Sequence, residues 1–541
     1  MAGIFSNKYR RIFDANSTQR SDAEFFKSDM NYSYNEISKH FISGSDVRLA
    51  IEKLKPGVGN DRIHSNHLKF GSSLLEKLIG SLFSSFLLHG YVSIEMLRGT
   101  INPTVKDVHG NLQSSDNYRP VMLSSVLLKL FEYCLQDKLM KNAPLLKDCQ
   151  HGFRGNYSTS SACFVLKETV LNYTNASSNV YACFIDFSKA FDMVNHKILL
   201  GKLKGYGIPD VFINVIKFWY SNQLVNVRYG TALTDSWKIC NGVRQGGVLS
   251  GFLFNIYIDS LLERILKSKY GCRLGFKKSS VIAYADDIVL LAPSATGLQA
   301  LIDIAYSEAH EMKMKINIDK SKCLIFRCPG SQLSENISFH VGNKPLQILN
   351  SFKYLGFIVN SRLNNSEDID RVRCRFYKEF NVVLRKFSFA DVRVKLYLFR
   401  QYCLQFYGPE LWFSNKGSVG SLRDFELGYH KAIKKILGLS YRESNHFACQ
   451  EANLLTFEHL MNKIKVTHAI RLLMHPCEFI RRVNPFLWVS SVFYNEIYEL
   501  LEKKYEIDSI VLNDKEAIVA RIGFVQNHEE QSRGPLALNA T

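Results

Sequence analysis

No run of about 18 uninterrupted apolar residues occurs in this chain of 541 residues, and its opening MAGIFSNKYRRIFD lacks the apolar core of a secretory leader. Membrane spanning and secretion are therefore not expected; an intracellular protein, nuclear or cytoplasmic, is. A CxxC pair is missing too. The twelve cysteines are scattered singly, which argues against a disulfide framework and against a zinc ribbon and suits buried thiols. His446, Cys449, His459, His468, His475 and Cys477 gather within about thirty residues, but at no zinc-finger spacing. Repeats and low-complexity tracts are absent as well. Acid is in deficit: 50 Asp and Glu face 68 Lys and Arg, a formal charge of +18. Such an excess favours a polyanionic partner such as nucleic acid, although a basic surface can also serve solubility alone. With 46% hydrophobic residues the chain can bury several domain-sized cores.

What is present is an unusual placement of charge. VIAYADDIVLLA, residues 281–292, sets Asp286 and Asp287 side by side between two apolar segments that read as buried strand. Two carboxylates about 4 Å apart repel by roughly 4 kcal/mol at a surface-like dielectric, so something must compensate. A bound divalent cation would do so, and an ordinary two-residue turn, in which Asp is common, reads equally well from this stretch alone. A third acid, Asp186, ends the strand-like VYACFIDF at residues 180–187.

Around these acids the pattern predicts a strand, a helix-like SKAFDMVNHKILLGKLKGYG, and an apolar helix over 247–266 after the glycine-rich NGVRQGG. The Asp-Asp hairpin follows, then a helix from Thr296 to Lys313 and a strand through CLIF. This order describes an α+β sheet with helices on one face. Helical patterns also run from Leu74 to Leu97 and from Val121 to Leu139. Residues 1–45 read as a partly ordered arm. From Val372 to Arg482 the chain turns helical and basic, with cations from Arg371 to Arg400 interleaved with Phe376, Tyr377, Tyr397, Phe399 and Tyr402. Such a face suits a nucleic-acid backbone, and equally an amphipathic bundle with a solvated cationic side.

Seven segments in order, NYRPVMLSSVLLKLFE, QHGFRGNYSTSSA, FIDFSKAFDMVNH, GVRQGGVLSGFLFNIYID, YADDIVLL, INIDKSK and FKYLGF, resemble the motifs of the reverse transcriptases of non-LTR (LINE-like) retrotransposons. They cover residues 50 to 360. The resemblance implies an RNA-directed DNA polymerase of right-hand architecture: fingers, an antiparallel palm sheet backed by helices, and a thumb, followed by a mainly helical C-terminal region. In these terms residues 1–80 lead into the fingers, 81–360 form fingers and palm, 361–485 a basic helical thumb, and 486–541 an extension with a disordered tail.

The same resemblance implies site roles. Asp186, Asp286 and Asp287 would form the catalytic cluster holding two Mg²⁺ ions, with Mn²⁺ an alternative; oxygen ligands suit such hard cations. Phe191 falls where the family carries a bulky gate against a ribose 2′-hydroxyl, and Gln245 falls beside the incoming dNTP. Arg119 and Arg154 would meet the triphosphate, guanidinium suiting phosphate oxygens; Lys320 would serve the leaving pyrophosphate, and Tyr354, Leu355 and Gly356 match the primer grip. The implied partners are an RNA template, a DNA primer or target site and dNTPs.

Two positions depart from the pattern. Gly251 stands where the family's LSP motif has proline, which predicts a looser start to the following helix, and Arg62 in GNDRI stands where glycine is usual, which predicts a strained turn. Some eighty residues precede the fingers, too few for an apurinic-type endonuclease, and no room is left for an RNase H domain. The expectation is therefore a polymerase portion of a longer element or a truncated copy, with a copy that binds RNA or DNA without catalysis as the rival.

Overall fold

The computed structural model describes residues 1–14, 39–142, 146–331, 337–412 and 418–477, with a few positions between 480 and 500. Residues 15–38 of the expected arm and, those few positions apart, the expected C-terminal extension and tail lie outside the described residues. Among the described residues no helix is long and apolar enough to cross a membrane.

The chain passes repeatedly between two compact units. The first comprises Met1–Arg154, Asp186–Lys267 and Asp303–Asn317; the second comprises Gly155–Ile185, Ser268–Ile302 and Ile318–Thr541.

In the first unit, strand Gly99–Val105 pairs antiparallel with Tyr118–Leu123 and parallel with Leu224–Tyr229. Helix Ala2–Asp14 covers this sheet. Its Phe5, Tyr9, Ile12 and Phe13 recur at helical spacing and join one apolar cluster with Ile101, Tyr118, Val225 and Trp237. Phe5 meets Tyr118 edge-on at 4.9 Å between ring centroids. These first residues are thus a packed element within the expected partly ordered arm. The expected helix over Val121–Leu139 begins later, at Val126, because Tyr118–Leu123 is committed to the sheet. The helical pattern from Leu74 to Leu97 breaks after His89, where Gly90 adopts a left-handed cap at φ +57°, and resumes as a single turn at Ile94–Leu97.

Arg62 has φ +61°, the left-handed region that glycine enters freely and arginine does not. The strain expected from the sequence is therefore present. Arg62→Gly is expected to raise stability by about 1 kcal/mol, net of the added freedom of the unfolded chain. A fall in the unfolding midpoint on this substitution would show instead that the arginine side chain supports the turn.

The second unit contains a six-stranded sheet, antiparallel as expected from the sequence except where Lys344–Leu349 pairs parallel with Lys322–Phe326. Val180–Ile185 lies at its centre, antiparallel to Asp287–Ala292 on one side and to Lys322–Phe326 on the other, with Val281–Tyr284 beyond the first. Side chains alternate between faces. Val180, Ala182 and Phe184 therefore share a face with Val289, Leu291, Leu324 and Phe326, and this face packs on Ala162, Val165, Leu166 and Val170 of helix Thr159–Asn175. Four further helices, Ser366–Lys386, Val419–Leu437, Asn445–Glu451 and Phe457–Leu473, make up most of the helical C-terminal region. Nine of the twelve cysteines are buried.

Candidate active site

The Asp-Asp segment is a tight hairpin. Asp287 pairs with Tyr284, leaving Ala285 and Asp286 as the two loop residues, and Ala285 adopts φ +57°. A two-residue hairpin needs positive φ at its first loop position, which glycine usually supplies; alanine takes the strain here. Both acids reach solvent, Asp287 more than Asp286. On the neighbouring strand, Ile185 pairs with Ile288 and is the residue before Asp186. Asp186 is itself half-buried, and its carbonyl accepts a hydrogen bond from the Asn317 N–H at 2.8 Å.

The donor chemistry suits a hard cation: carboxylates on strand ends, accessible to solvent. Among the described residues, however, no three His, Cys, Asp or Glu side chains form a ready-made metal cluster. That holds also for the histidines and cysteines between 446 and 477.

The RQGG loop and the segment after Asp186 meet within the first unit. Gln245 Nε2 donates to Asp192 Oδ1 at 2.7 Å, and the Gln245 carbonyl accepts from the Met122 N–H at 3.0 Å. Its amide is thereby oriented by a buried carboxylate. Sequence reasoning missed Asp192, although a second acid six residues beyond Asp186 and next to Phe191 in SKAFDM was visible. Phe191 stacks on Phe254, centroids 4.6 Å apart and planes at 11°, and meets Phe153 edge-on at 5.8 Å and 71°.

Glu132 was also missed. It is the one acid in the apolar run VLLKLFEYCL, it is only 1% exposed, and its carboxylate accepts from the backbone N–H groups of Val248 and Leu249. It thereby holds the loop that leads into helix Ser250–Lys267. Burial raises its affinity for a proton, opposed by the nearby Arg244 guanidinium. Arg244, 3% exposed, donates to the Leu97 carbonyl at 2.9 Å and lies 4.9 Å over the Trp219 ring. Burial lowers its pKa to about 10.

Of the cations expected at the triphosphate, Arg119 is exposed on strand Tyr118–Leu123. Arg154 is half-buried, and its Nη1 donates to the carbonyls of Lys147 and Gln150 at 2.9 and 3.0 Å, bracing its own turn. Lys320 is exposed on a turn before strand Lys322–Phe326.

The three expected primer-grip residues form the corner of a hairpin between strands Ser351–Tyr354 and Phe357–Asn360. Leu355 and Gly356 have φ +46° and +87°, as a two-residue corner demands. Tyr407 covers the corner: its hydroxyl donates to the Leu355 carbonyl at 2.7 Å, and a Cβ on Gly356 would lie 2.8 Å from its ring. Tyr354 points inward, packs 5.2 Å from Phe184, and has its hydroxyl pKa pushed up chiefly by burial, with the Asp287 charge adding to it.

The aromatics of the basic region divide. Phe376 and Phe399 enter its apolar core, whereas Tyr377, Tyr397 and Tyr402 remain exposed beside exposed Arg375, Lys378 and Arg393. The face therefore offers both rings and charge to solvent.

Residues 107–359 match the family described as reverse transcriptase (RNA-dependent DNA polymerase). Over 296 residues the chain is 28% identical to the retrovirus-related Pol polyprotein from type-2 retrotransposable element R2DM of Drosophila melanogaster, covering 52% of this chain and 26% of that protein. Over 396 residues it is 25% identical to the probable RNA-directed DNA polymerase from transposon BS of the same organism, covering 69% and 42%. The chain thus spans less than half the length of these curated relatives. Among solved structures, telomerase from Candida tropicalis in complex with a TWJ fragment of telomeric RNA is similar over 85% of this chain and 73% of that one, at TM-score 0.38 and 12% identity.

Proposed function

We propose that the chain, whose residues 107–359 match the reverse transcriptase family, is a polymerase of the non-LTR retrotransposon kind that extends a primer 3′-hydroxyl along an RNA template with dNTPs, by two-metal phosphoryl transfer. The observation that carries this reading is the match over 107–359 together with the rigid hairpin that presents Asp286 and Asp287 to solvent next in register to the strand ending before Asp186.

In this proposal Asp186 and Asp286 bind the two Mg²⁺ ions, with Asp287 alongside. The ions, when bound, supply charge for the attacking and leaving oxygens together. The remaining work falls to the chain. Gln245, its amide fixed by Asp192, lies along the incoming nucleotide. Phe191, backed by Phe254, excludes a 2′-hydroxyl by bulk. Arg119 and the outer guanidinium edge of Arg154 face the triphosphate, and Lys320 gives a proton to the departing pyrophosphate. The Leu355–Gly356 corner supports the primer end, and the exposed tyrosines and cations of 371–402 track the hybrid backbone. The division into fingers, palm and thumb is part of the same reading.

RNA-templated primer extension by the purified chain tests it. Product is expected with Mg²⁺ and dNTPs, and chelation with EDTA is expected to stop it completely, with activity restored by added Mg²⁺ or Mn²⁺. If the chain binds RNA–DNA hybrid but extends nothing with either ion, it is a nucleic-acid-binding copy that has lost catalysis. Extension on DNA templates alone would redirect the assignment to a DNA-templated enzyme.

A further inference from the structure

We infer that Phe153 is a positioning residue for sugar selection, placed against Phe191 by the absence of a side chain at Gly251. The inference rests on the proposed polymerase site and deepens it.

Gly251 lies in the first turn of helix Ser250–Lys267 and is buried. Its φ is not in the left-handed region, so its own backbone does not call for glycine. The space around it does. A Cβ at 251 would sit 2.3 Å from Phe153 Cγ, 2.5 Å from Cδ1 and 2.8 Å from its Cβ. The ring therefore occupies the volume that any other residue would fill. Rotation of the ring cannot relieve such a contact, because it reaches the root of the side chain.

The backbone of Phe153 is equally unable to retreat. It holds φ +54°, a conformation phenylalanine rarely adopts. Four hydrogen bonds pin the turn around it: Asn255 Nδ2 to the Gly152 carbonyl at 2.7 Å, the Gly152 N–H to Gln150 Oε1 at 2.9 Å, and Arg154 Nη1 to the carbonyls of Lys147 and Gln150. Asn255 is one turn beyond Gly251 on the same helix, so one helix both clears the space and grips the turn that fills it.

The result is a row of three rings, Phe254 stacked on Phe191 and Phe153 edge-on to it. Phe254 is fully buried, but Phe153 is 55% exposed. A ring held in a strained backbone with half its surface in solvent contributes little to the core. Its effect falls on Phe191, whose ring is confined from a second side.

The expectation that Gly251 loosens the start of the helix is thereby corrected: the glycine is a close-packing position. Proline or alanine there would drive Phe153 away from Phe191 and leave that ring free to yield to a 2′-hydroxyl.

The test is single-nucleotide incorporation on an RNA template, with dNTP and the matching rNTP compared by kcat/KM for wild type, F153A, G251A and the double variant. F153A is expected to lower the preference for dNTP roughly tenfold, within the range that pocket-shape changes produce. Its unfolding midpoint should stay near wild type. G251A should lower the preference similarly, and the double variant no further than F153A alone, because both act through one contact. Wild-type selectivity in F153A overturns the inference while leaving the polymerase assignment standing, and F153A suffices for this if G251A does not fold. Absence of any extension by wild type overturns both.

Discussion

Asp286→Asn is expected to abolish RNA-templated extension, by at least about 10³-fold, with little change in stability. Asparagine keeps the size of the side chain and is at home in tight turns, so the Tyr284–Asp287 closing pair and the two-residue loop should persist. What is lost is one full negative charge at a half-exposed position. A hard cation depends on that charge, and Lewis-acid stabilisation of a phosphoryl transition state is worth several kcal/mol, about 4 kcal/mol corresponding to 10³ in rate. Initial extension rates at saturating dNTP, read beside the thermal midpoint, make the measurement. Substantial activity in this variant would remove Asp286 from the metal site. Asp186→Asn is expected to behave in the same way, since in the proposed reading its carboxylate is a ligand, and the carbonyl bonded to Asn317 is untouched by the substitution.

Glu132→Ala should produce the largest loss of stability, about 3–5 kcal/mol. The substitution strands three groups at once. The N–H groups of Val248 and Leu249 lose their acceptor at the start of helix Ser250–Lys267, and the buried Arg244 loses its neighbouring negative charge. Removing one member of a buried ionic pair costs this much because the other remains desolvated and uncompensated. Arg244 Nε and Nη1 already lack hydrogen-bond partners, so little is available to take the place of Glu132. Glu132→Gln should fall between, retaining an acceptor oxygen and losing the charge. Denaturant midpoints of the three proteins decide it, and a change below about 1 kcal/mol for alanine would show that Arg244 is compensated elsewhere.

The parts of the fold and site that could be read beforehand share a physical property: local periodicity. Val180–Ile185, the hairpin at 281–292 and the strand through Phe326 alternate or run apolar over a few residues, and their limits were legible to within two positions. The acids stood out because charge inside such runs is costly. Strand Gly99–Val105 was not legible, since GTINPTV carries a proline and its partner Leu224–Tyr229 lies over a hundred residues away. Helix Ala2–Asp14 was legible in principle through Phe5, Tyr9, Ile12 and Phe13, but the polar sequence after it obscured the pattern. Departures from a motif proved mixed. Arg62 carries the strain its identity implied, whereas Gly251 is explained by a ring ninety-eight residues earlier that no local rule could supply. Asp192 and Glu132 act through hydrogen bonds to Gln245 and to the loop beyond it, and such pairings become visible only when the chain is folded.

The interleaving of the two compact units also bears on how the protein is made. The first unit draws its last segment from Asp303–Asn317, and the second begins at Gly155 and needs residues beyond Ile318. A ribosome delivering roughly 5–20 residues per second must therefore hold the N-terminal 154 residues, with a half-built sheet, for on the order of ten seconds or more before that unit can close. During that interval the apolar face of helix Ala2–Asp14 is available to cover the nascent sheet whose strands it packs on, since Gly99–Val105 and Tyr118–Leu123 emerge long before Leu224–Tyr229. A chain in which Phe5 and Tyr9 are replaced by polar residues would leave the apolar face of this half-built sheet uncovered through the same interval.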